Sequence, residues 1–179
     1  MQSISPSAAS YDRGTIWFHW LTVLLVVGQW VGGKTVDFWP RAMQVYVVST
    51  HITFGLLLGL LVLARLYWRA TGGRRLPAAD RGVLQWLAKA VHWGLYLLIL
   101  TVVGLGLAML SQRSVSYFNL FMLPSLASGT RQALRAYHGN HELLATTILI
   151  VAGLHAAAAL LHQYLWRDGV LARMIPGLR

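Results

Sequence analysis

The chain has 179 residues, of which 56% are apolar and 11% charged, and it contains no cysteine. Soluble domains carry about 25% charged residues, so the composition excludes an ordinary soluble protein, and its hydrophobicity excludes intrinsic disorder. The lack of cysteine excludes disulfides, iron–sulfur clusters, thiolate zinc sites and covalently attached haem. The net charge of +10 is typical of nucleic-acid binding, but its distribution along the chain follows membrane topology, so we expect no nucleic-acid partner.

Four segments of 20, 23, 23 and 24 residues lack Lys, Arg, Asp and Glu, and they are residues 14–33, 42–64, 90–112 and 143–166. Each is long enough to cross a bilayer core about 30 Å thick as a helix. We predict a single membrane-embedded domain over the whole chain, 1–179, with helical spans at residues 14–36, 44–69, 88–111 and 137–166. Because backbone polar groups in lipid must be satisfied internally, the fold class predicted is an all-α four-helix bundle.

The connections between the spans predict a loop and an orientation. Residues 114–130 are too short for a span and contain Pro124 and Gly129, so we predict an interfacial loop there. Ten Lys and Arg residues lie in the N-terminal segment, the second loop and the C-terminal segment, against five in the first and third loops. Because basic residues are enriched on the cytoplasmic side, both termini are predicted to be cytoplasmic.

Histidine is the dominant ionisable residue of the spans. The seven histidines in or beside them are His19, His51, His92, His138, His141, His155 and His162. Ionisable groups within a membrane mark functional sites, and imidazoles without carboxylates suit a transition metal or haem iron. A proton pump or cation transporter is expected to bury Asp or Glu, yet a histidine-lined transporter without haem remains an alternative.

The spacing of the histidines predicts two layers. His141 and His155 are 14 residues apart, which places them within about 40° of the same helix face and about 21 Å apart along the axis. His51 lies at a depth comparable with that of His141, near the outer end of the second span. His19 lies near the inner end of the first span, towards the side that His155 approaches. Bis-histidine ligation of two non-covalent b-type haems is therefore predicted.

Spacing alone leaves part of this ligand set open. His162 follows His155 by seven residues, shares its face and matches the depth of His19 at least as well. His138 lies about 100° away from the His155 face, which favours His141 for the outer layer. For His92, at the start of the third span, we expect a structural role.

Several stretches resemble the bacterial cytochrome b-561 family over residues 11–176. The most specific lies at residues 153–176, which read GLHAAAALLHQYLWRDGVLARMIP. Supporting stretches are IWFHWLTVLLVV around His19, HITFGLLLGLLVLARL from His51, and HELLATTILIVAGLH from His141 to His155. The resemblance implies two haem b groups in a protein of the bacterial cytoplasmic (inner) membrane. Their implied ligands are His19 and His155 on the cytoplasmic side, and His51 and His141 on the periplasmic side.

The resemblance is greatest to the small free-standing members of this family, which implies an oxidoreductase. Such a protein oxidises superoxide to oxygen at the periplasmic side and reduces ubiquinone to ubiquinol, without needing a protein partner. The alternative is a membrane cytochrome b subunit that relays electrons between a partner dehydrogenase or hydrogenase and the quinone pool.

Candidate residues for the two substrates lie at opposite ends of the spans. A quinone head group needs a proton source near a haem, which favours His162, with Arg75 as a second candidate. Outer loops of net charge +3 suit an anionic donor. The residues predicted to line its approach are Arg131, Arg135 and His138, because they lead directly into His141.

Overall fold

A computed structural model describes residues 10–79 and 81–178 of the chain. Its long helices are α1 (Arg13–Thr35), α2 (Arg41–Thr71), α3 (Val83–Ser111) and α4 (Arg131–Leu161). All four are long and apolar enough to cross a membrane. The predicted all-α four-helix membrane bundle is therefore confirmed.

The helices extend beyond the uncharged segments of the sequence. α2 continues through Arg65 and Arg69 to Thr71, and α3 already begins at Val83. Cations in the last turn of a helix interact favourably with its dipole, and long basic side chains reach the interface while their stems stay in apolar surroundings. Arg65 and Arg69 therefore belong to α2 and lie within the second span proposed from the sequence, 44–69.

The first and last segments that the structure describes meet at one end of the bundle. The Tyr11 amide donates to the Arg173 carbonyl at 3.0 Å, and the Arg173 guanidinium donates to the Pro77 carbonyl at 2.8 Å. The Trp20 indole also donates to the Met174 carbonyl at 3.1 Å. We call this the termini end, where α1 and α3 begin and α2 and α4 end. The opposite end is called the hairpin end.

The predicted interfacial loop contains a small β-hairpin. Strands β1 (Val115–Tyr117) and β2 (Phe121–Leu123) pair antiparallel. The turn between them places Phe118 and Asn119 at φ values of 53° and 57°. Asn tolerates this left-handed conformation better than most residues, which favours a reversal at this point. The loop predicted at residues 114–130 therefore includes a short regular hairpin that the sequence did not predict.

The hairpin is attached to α2 by hydroxyl groups. The Phe118 amide donates to the buried Ser49 hydroxyl at 2.9 Å. The hydroxyls of Tyr117 and Thr53 share a hydrogen bond of 2.7 Å. These contacts hold the hairpin beside the turn of α2 that carries His51.

The apolar core lies between α2, α3 and α4. Its buried residues are Leu58, Val62, Tyr96, Ile99, Val102 and Ile148. Gly59 lets α2 approach α3 closely, because a Cβ atom there would lie only 3.0 Å from Cγ1 of Val103. Small residues at helix contacts serve this purpose in membranes, where close packing replaces the hydrophobic effect between helices.

Asp12 organises the termini end. Its carboxylate caps α1 by accepting hydrogen bonds from the Thr15 amide at 2.9 Å and the Thr15 hydroxyl at 2.6 Å. It also accepts from the Trp68 indole at 3.1 Å and the Arg74 amide at 2.9 Å. Burial raises the pKa of Asp12, but these four bonds favour the ionised form and hold that pKa well below its ordinary value.

We predict that Asp12→Ala lowers the free energy of unfolding by about 1–2 kcal/mol at neutral pH. The variant loses the N-terminal cap of α1 and the hydrogen bonds from Trp68 and Arg74. The depressed pKa of Asp12 in the folded state gives a stabilisation that is complete above the unfolded-state pKa of about 4 and is lost as the pH falls below it. The Tm difference between wild type and Asp12→Ala should therefore narrow in acid. Asp37→Ala, at an exposed position, serves as the control, and a pH-independent difference for Asp12→Ala would contradict the prediction.

Candidate functional site

Two histidine pairs lie at different depths of the bundle. At the hairpin end, the ring centroids of His51 on α2 and His141 on α4 are 6.1 Å apart, with the ring planes at 65°. At the termini end, those of His19 on α1 and His155 on α4 are 6.4 Å apart, with the planes at 73°. We call them the hairpin-end pair and the termini-end pair. Helix α4 contributes one ring to each because residues 14 apart return to nearly the same face.

The separation of the rings fits a metal held between them. An imidazole nitrogen binds a metal at about 2 Å and the ring centroid lies about 1.1 Å further out, so two imidazoles that share one metal would place their centroids about 6.2 Å apart. Within residues 10–79 and 81–178, no group of three or more His, Cys, Asp or Glu side chains is arranged to hold a bare metal ion. A haem, whose iron would be held by two imidazoles, would therefore suit this donor set better than an all-protein metal site.

The surroundings of His141 in the hairpin-end pair favour ligation through its Nε2. His141 Nδ1 lies 2.9 Å from the Val102 carbonyl, which fixes the proton on Nδ1 and leaves Nε2 with a lone pair. Gly33 and Gly106 leave room beside the two rings, because Cβ atoms there would lie 3.5 Å from His51 Cε1 and 3.4 Å from His141 Cε1. The Gln29 amide donates to the His51 carbonyl at 2.7 Å and ties α1 to α2 at this depth.

The termini-end pair has two further neighbours, neither of which sequence reasoning assigned to it. The Arg65 guanidinium lies 3.2 Å from His19 Nδ1 and 5.3 Å from the centre of the Tyr96 ring. The ring of His92 on α3 lies 5.0 Å from that of His155. The sequence did contain a signal for Arg65. It is an arginine one turn before the end of a span that also carries a histidine, His51.

His162 lies in a π-helical turn, His162–Trp166, that follows α4. The residue is buried, with 9% of its surface exposed, and Nδ1 lies 2.5 Å from Asp168 Oδ2. Arg167, at φ 54°, reverses the chain and so brings Asp168 back to the ring. His155 is thus the α4 histidine beside His19, and His162 forms a separate pair with a carboxylate. Sequence reasoning overlooked Asp168 because only this reversal makes the two side chains meet.

The remaining predicted residues lie on exposed surface. Arg131, Arg135 and His138 occupy the first turns of α4 at the hairpin end. Arg75 lies in the connector at the termini end, 3.5 Å from the Ala70 carbonyl. Lys34 and Glu142 form an ion pair that joins α1 to α4 next to His141.

Known proteins match the chain over nearly its whole length. The family described as prokaryotic cytochrome b561 matches residues 10–177. A probable superoxide oxidase CybB from Yersinia pestis is 34% identical over 94% of this chain and 97% of that protein. Cytochrome b562 from Cereibacter sphaeroides is 30% identical, covering 92% and 94%, and cytochrome b561 homolog 1 from Escherichia coli (strain K12) is 26% identical, covering 93% and 97%. The chain belongs to the prokaryotic cytochrome b561 family.

Proposed function

We propose that this multi-pass membrane protein is a superoxide:ubiquinone oxidoreductase of the bacterial cytoplasmic membrane, with the termini end facing the cytoplasm. Two superoxide ions each lose one electron to become oxygen, and ubiquinone takes up these two electrons and two protons to become ubiquinol. The printed name of the Yersinia pestis relative, a probable superoxide oxidase, supports this choice.

The observation that carries the proposal is the presence of two histidine pairs, one near each end, with centroid separations of 6.1 and 6.4 Å. Membership in a cytochrome b family implies b-type haem, and we propose one haem for each pair. His51 and His141 would hold one iron, and His19 and His155 the other. When bound, the haems supply one-electron transfer between the two sides of the membrane. The protein itself would hold the histidine rings in place, set the polarity of their surroundings and limit the access of water to the haems.

The hairpin end is suited to a small anion. Lys34 is already paired with Glu142, so the attractive charge comes from other cations at this end. These are Arg41, Arg113, Arg131 and Arg135. A positive field raises the encounter rate of an anionic substrate, and it falls with ionic strength. Arg131, Arg135 and His138 lie exposed on the helix that leads to His141, and we assign the approach of superoxide to them.

The double variant Arg131→Gln/Arg135→Gln is expected to lower the second-order rate of superoxide oxidation about threefold to tenfold, because steering by charge is weakened. The rate should also depend less on salt than in wild type. The matched control is Arg81→Gln/Lys89→Gln, which removes the same charge from exposed positions at the termini end. Stopped-flow kinetics at several ionic strengths measure both effects, and an equal loss in the control would contradict the assignment.

The termini end is suited to a quinone head group. The buried His162, seven residues beyond His155, forms a hydrogen-bonded pair with the partly exposed Asp168. An imidazole held by a carboxylate can donate a proton to a quinone oxygen and recover it from the adjacent solvent. We therefore assign the quinone to His162, with Asp168 orienting the ring. Arg75 remains a second candidate, on the exposed connector at the same end.

The purified protein, a superoxide source and a soluble ubiquinone test this function directly. We expect one ubiquinol for every two superoxide ions consumed, and we expect superoxide dismutase to suppress the reaction. Ubiquinol formation only after addition of a partner dehydrogenase or hydrogenase would contradict the proposal and support the electron-relay subunit. A preparation without a haem absorption band would contradict it in favour of the histidine-lined transporter.

A further inference from the structure

Helix α3 contributes no ring to either histidine pair, yet it supplies polar groups to both. At the hairpin end, its Val102 carbonyl lies 2.9 Å from His141 Nδ1. At the termini end, its His92 ring lies 5.0 Å from the ring of His155, with the planes at 76°. Each α4 histidine therefore faces one polar group of α3.

The tautomer of His92 makes it an acceptor. Its Nδ1 lies 2.6 Å from the Ala88 carbonyl, which has no proton to donate, so Nδ1 carries the proton of the neutral ring. The lone pair then resides on Nε2. An N–H···N bond of about 2.9 Å places two imidazole centroids about 5.1 Å apart, which agrees with the separation of the His92 and His155 rings.

His155 needs such an acceptor when it binds iron. A histidine that ligates through Nε2 carries its proton on Nδ1 and donates it to a second partner, which orients the ring and increases its basicity. His141 has the Val102 carbonyl for this purpose. Within residues 10–79 and 81–178, His155 makes no hydrogen bond to any group, His92 included, so the bond to His92 is inferred for the haem-loaded protein from the ring separation of 5.0 Å. Arg65 cannot serve, because a guanidinium has only donors.

We propose that His92 is a positioning residue that accepts the Nδ1–H of iron-bound His155 and thereby sets the orientation of this ligand and the potential of the termini-end haem. The inference rests on the proposed function only in taking His155 as a haem ligand. It gives a specific role to a side chain for which the sequence indicated a structural one.

Two variants of the full-length, haem-loaded protein test the inference. His92→Phe keeps a planar ring but removes the acceptor, whereas the amide oxygen of His92→Gln can still accept. Leu97→Phe places the same new side chain at an exposed position of α3, 68% exposed, as the control. Redox titration and low-temperature EPR are the readouts. The signals that disappear in His155→Ala are assigned to the termini-end haem.

In His92→Phe, we expect the reduced-to-oxidised ratio of the termini-end haem at a fixed potential to rise about fivefold, because a less basic imidazole stabilises ferric iron less. Its low-spin EPR signal should shift as the ring loses its orientation, while the hairpin-end haem stays unchanged. His92→Gln should resemble wild type in both readouts. This expectation still tests the inference if His92→Phe fails to retain haem. Leu97→Phe should change neither.

Three results would overturn the inference: unchanged potential and EPR signals in His92→Phe, equal shifts of both haems, or loss of six-coordinate iron in both His92 variants. The last result would make His92 itself a ligand. Failure of the proposed function can be distinguished from failure of this inference. In the former case, the wild-type protein itself would bind fewer than two haems or reduce no ubiquinone, independently of the His92 variants.

Discussion

His155→Ala is expected to reduce the haem content from two per chain to one, because an iron with a single axial imidazole loses half of its attachment to the protein. His141→Ala should have the same effect on the other haem. Either variant should abolish superoxide-driven ubiquinol formation, since electrons must cross between the two sides. Pyridine haemochrome analysis against protein concentration measures the content.

His138→Ala is the matched control for haem content. This exposed histidine lies less than one turn before His141 on the same helix, and its loss should leave both haems bound. Retention of both haems in six-coordinate form by His155→Ala would contradict the ligand assignment. If His162→Ala lost a haem instead, the alternative left open by the spacing of the two histidines would be correct.

His162→Ala is expected to slow ubiquinol formation about 100-fold, because a positioned proton donor contributes about this factor or more to the rate. The haem content and the rapid reduction of haem by superoxide should remain those of wild type. Asp168→Asn, which leaves the imidazole in place but removes its carboxylate partner, should have a smaller effect, about tenfold.

Tyr164→Phe provides the control at the termini end, since this side chain lies in the same π-helical turn and is 67% exposed. It should leave ubiquinol formation unchanged. The assignment of the quinone would be wrong if His162→Ala formed ubiquinol at the wild-type rate, or if it slowed the reduction of haem by superoxide to the same extent.

The helices could be predicted from the sequence because their cause is local. A run of more than about 20 uncharged apolar residues forms a spanning helix whatever its neighbours are. The ends were less certain, because a charged residue at a helix end is hard to distinguish in sequence from one in a loop. The hairpin depends on Ser49 and Thr53, which lie more than 60 residues from their partners, and no local pattern indicates such contacts.

The site could be predicted only in part, for a similar reason. The spacing of His141 and His155 on one helix indicates a shared face, and the structure brings His51 and His19 beside them. His92 was expected to be structural, because its sequence position shows only its depth and not its distance from His155. Arg65 and Asp168 were not considered, since their contacts depend on helix packing and on the chain reversal at Arg167.

The most direct test of the central claim is the haem content and coordination of the intact protein. Extraction with acidified acetone, absorption spectroscopy and EPR of the same sample should give two non-covalent haem b groups per chain, both low-spin and six-coordinate. Fewer than two haems in fully loaded preparations, or a five-coordinate high-spin iron in either of them, would contradict the assignment of a bis-histidine haem to each pair.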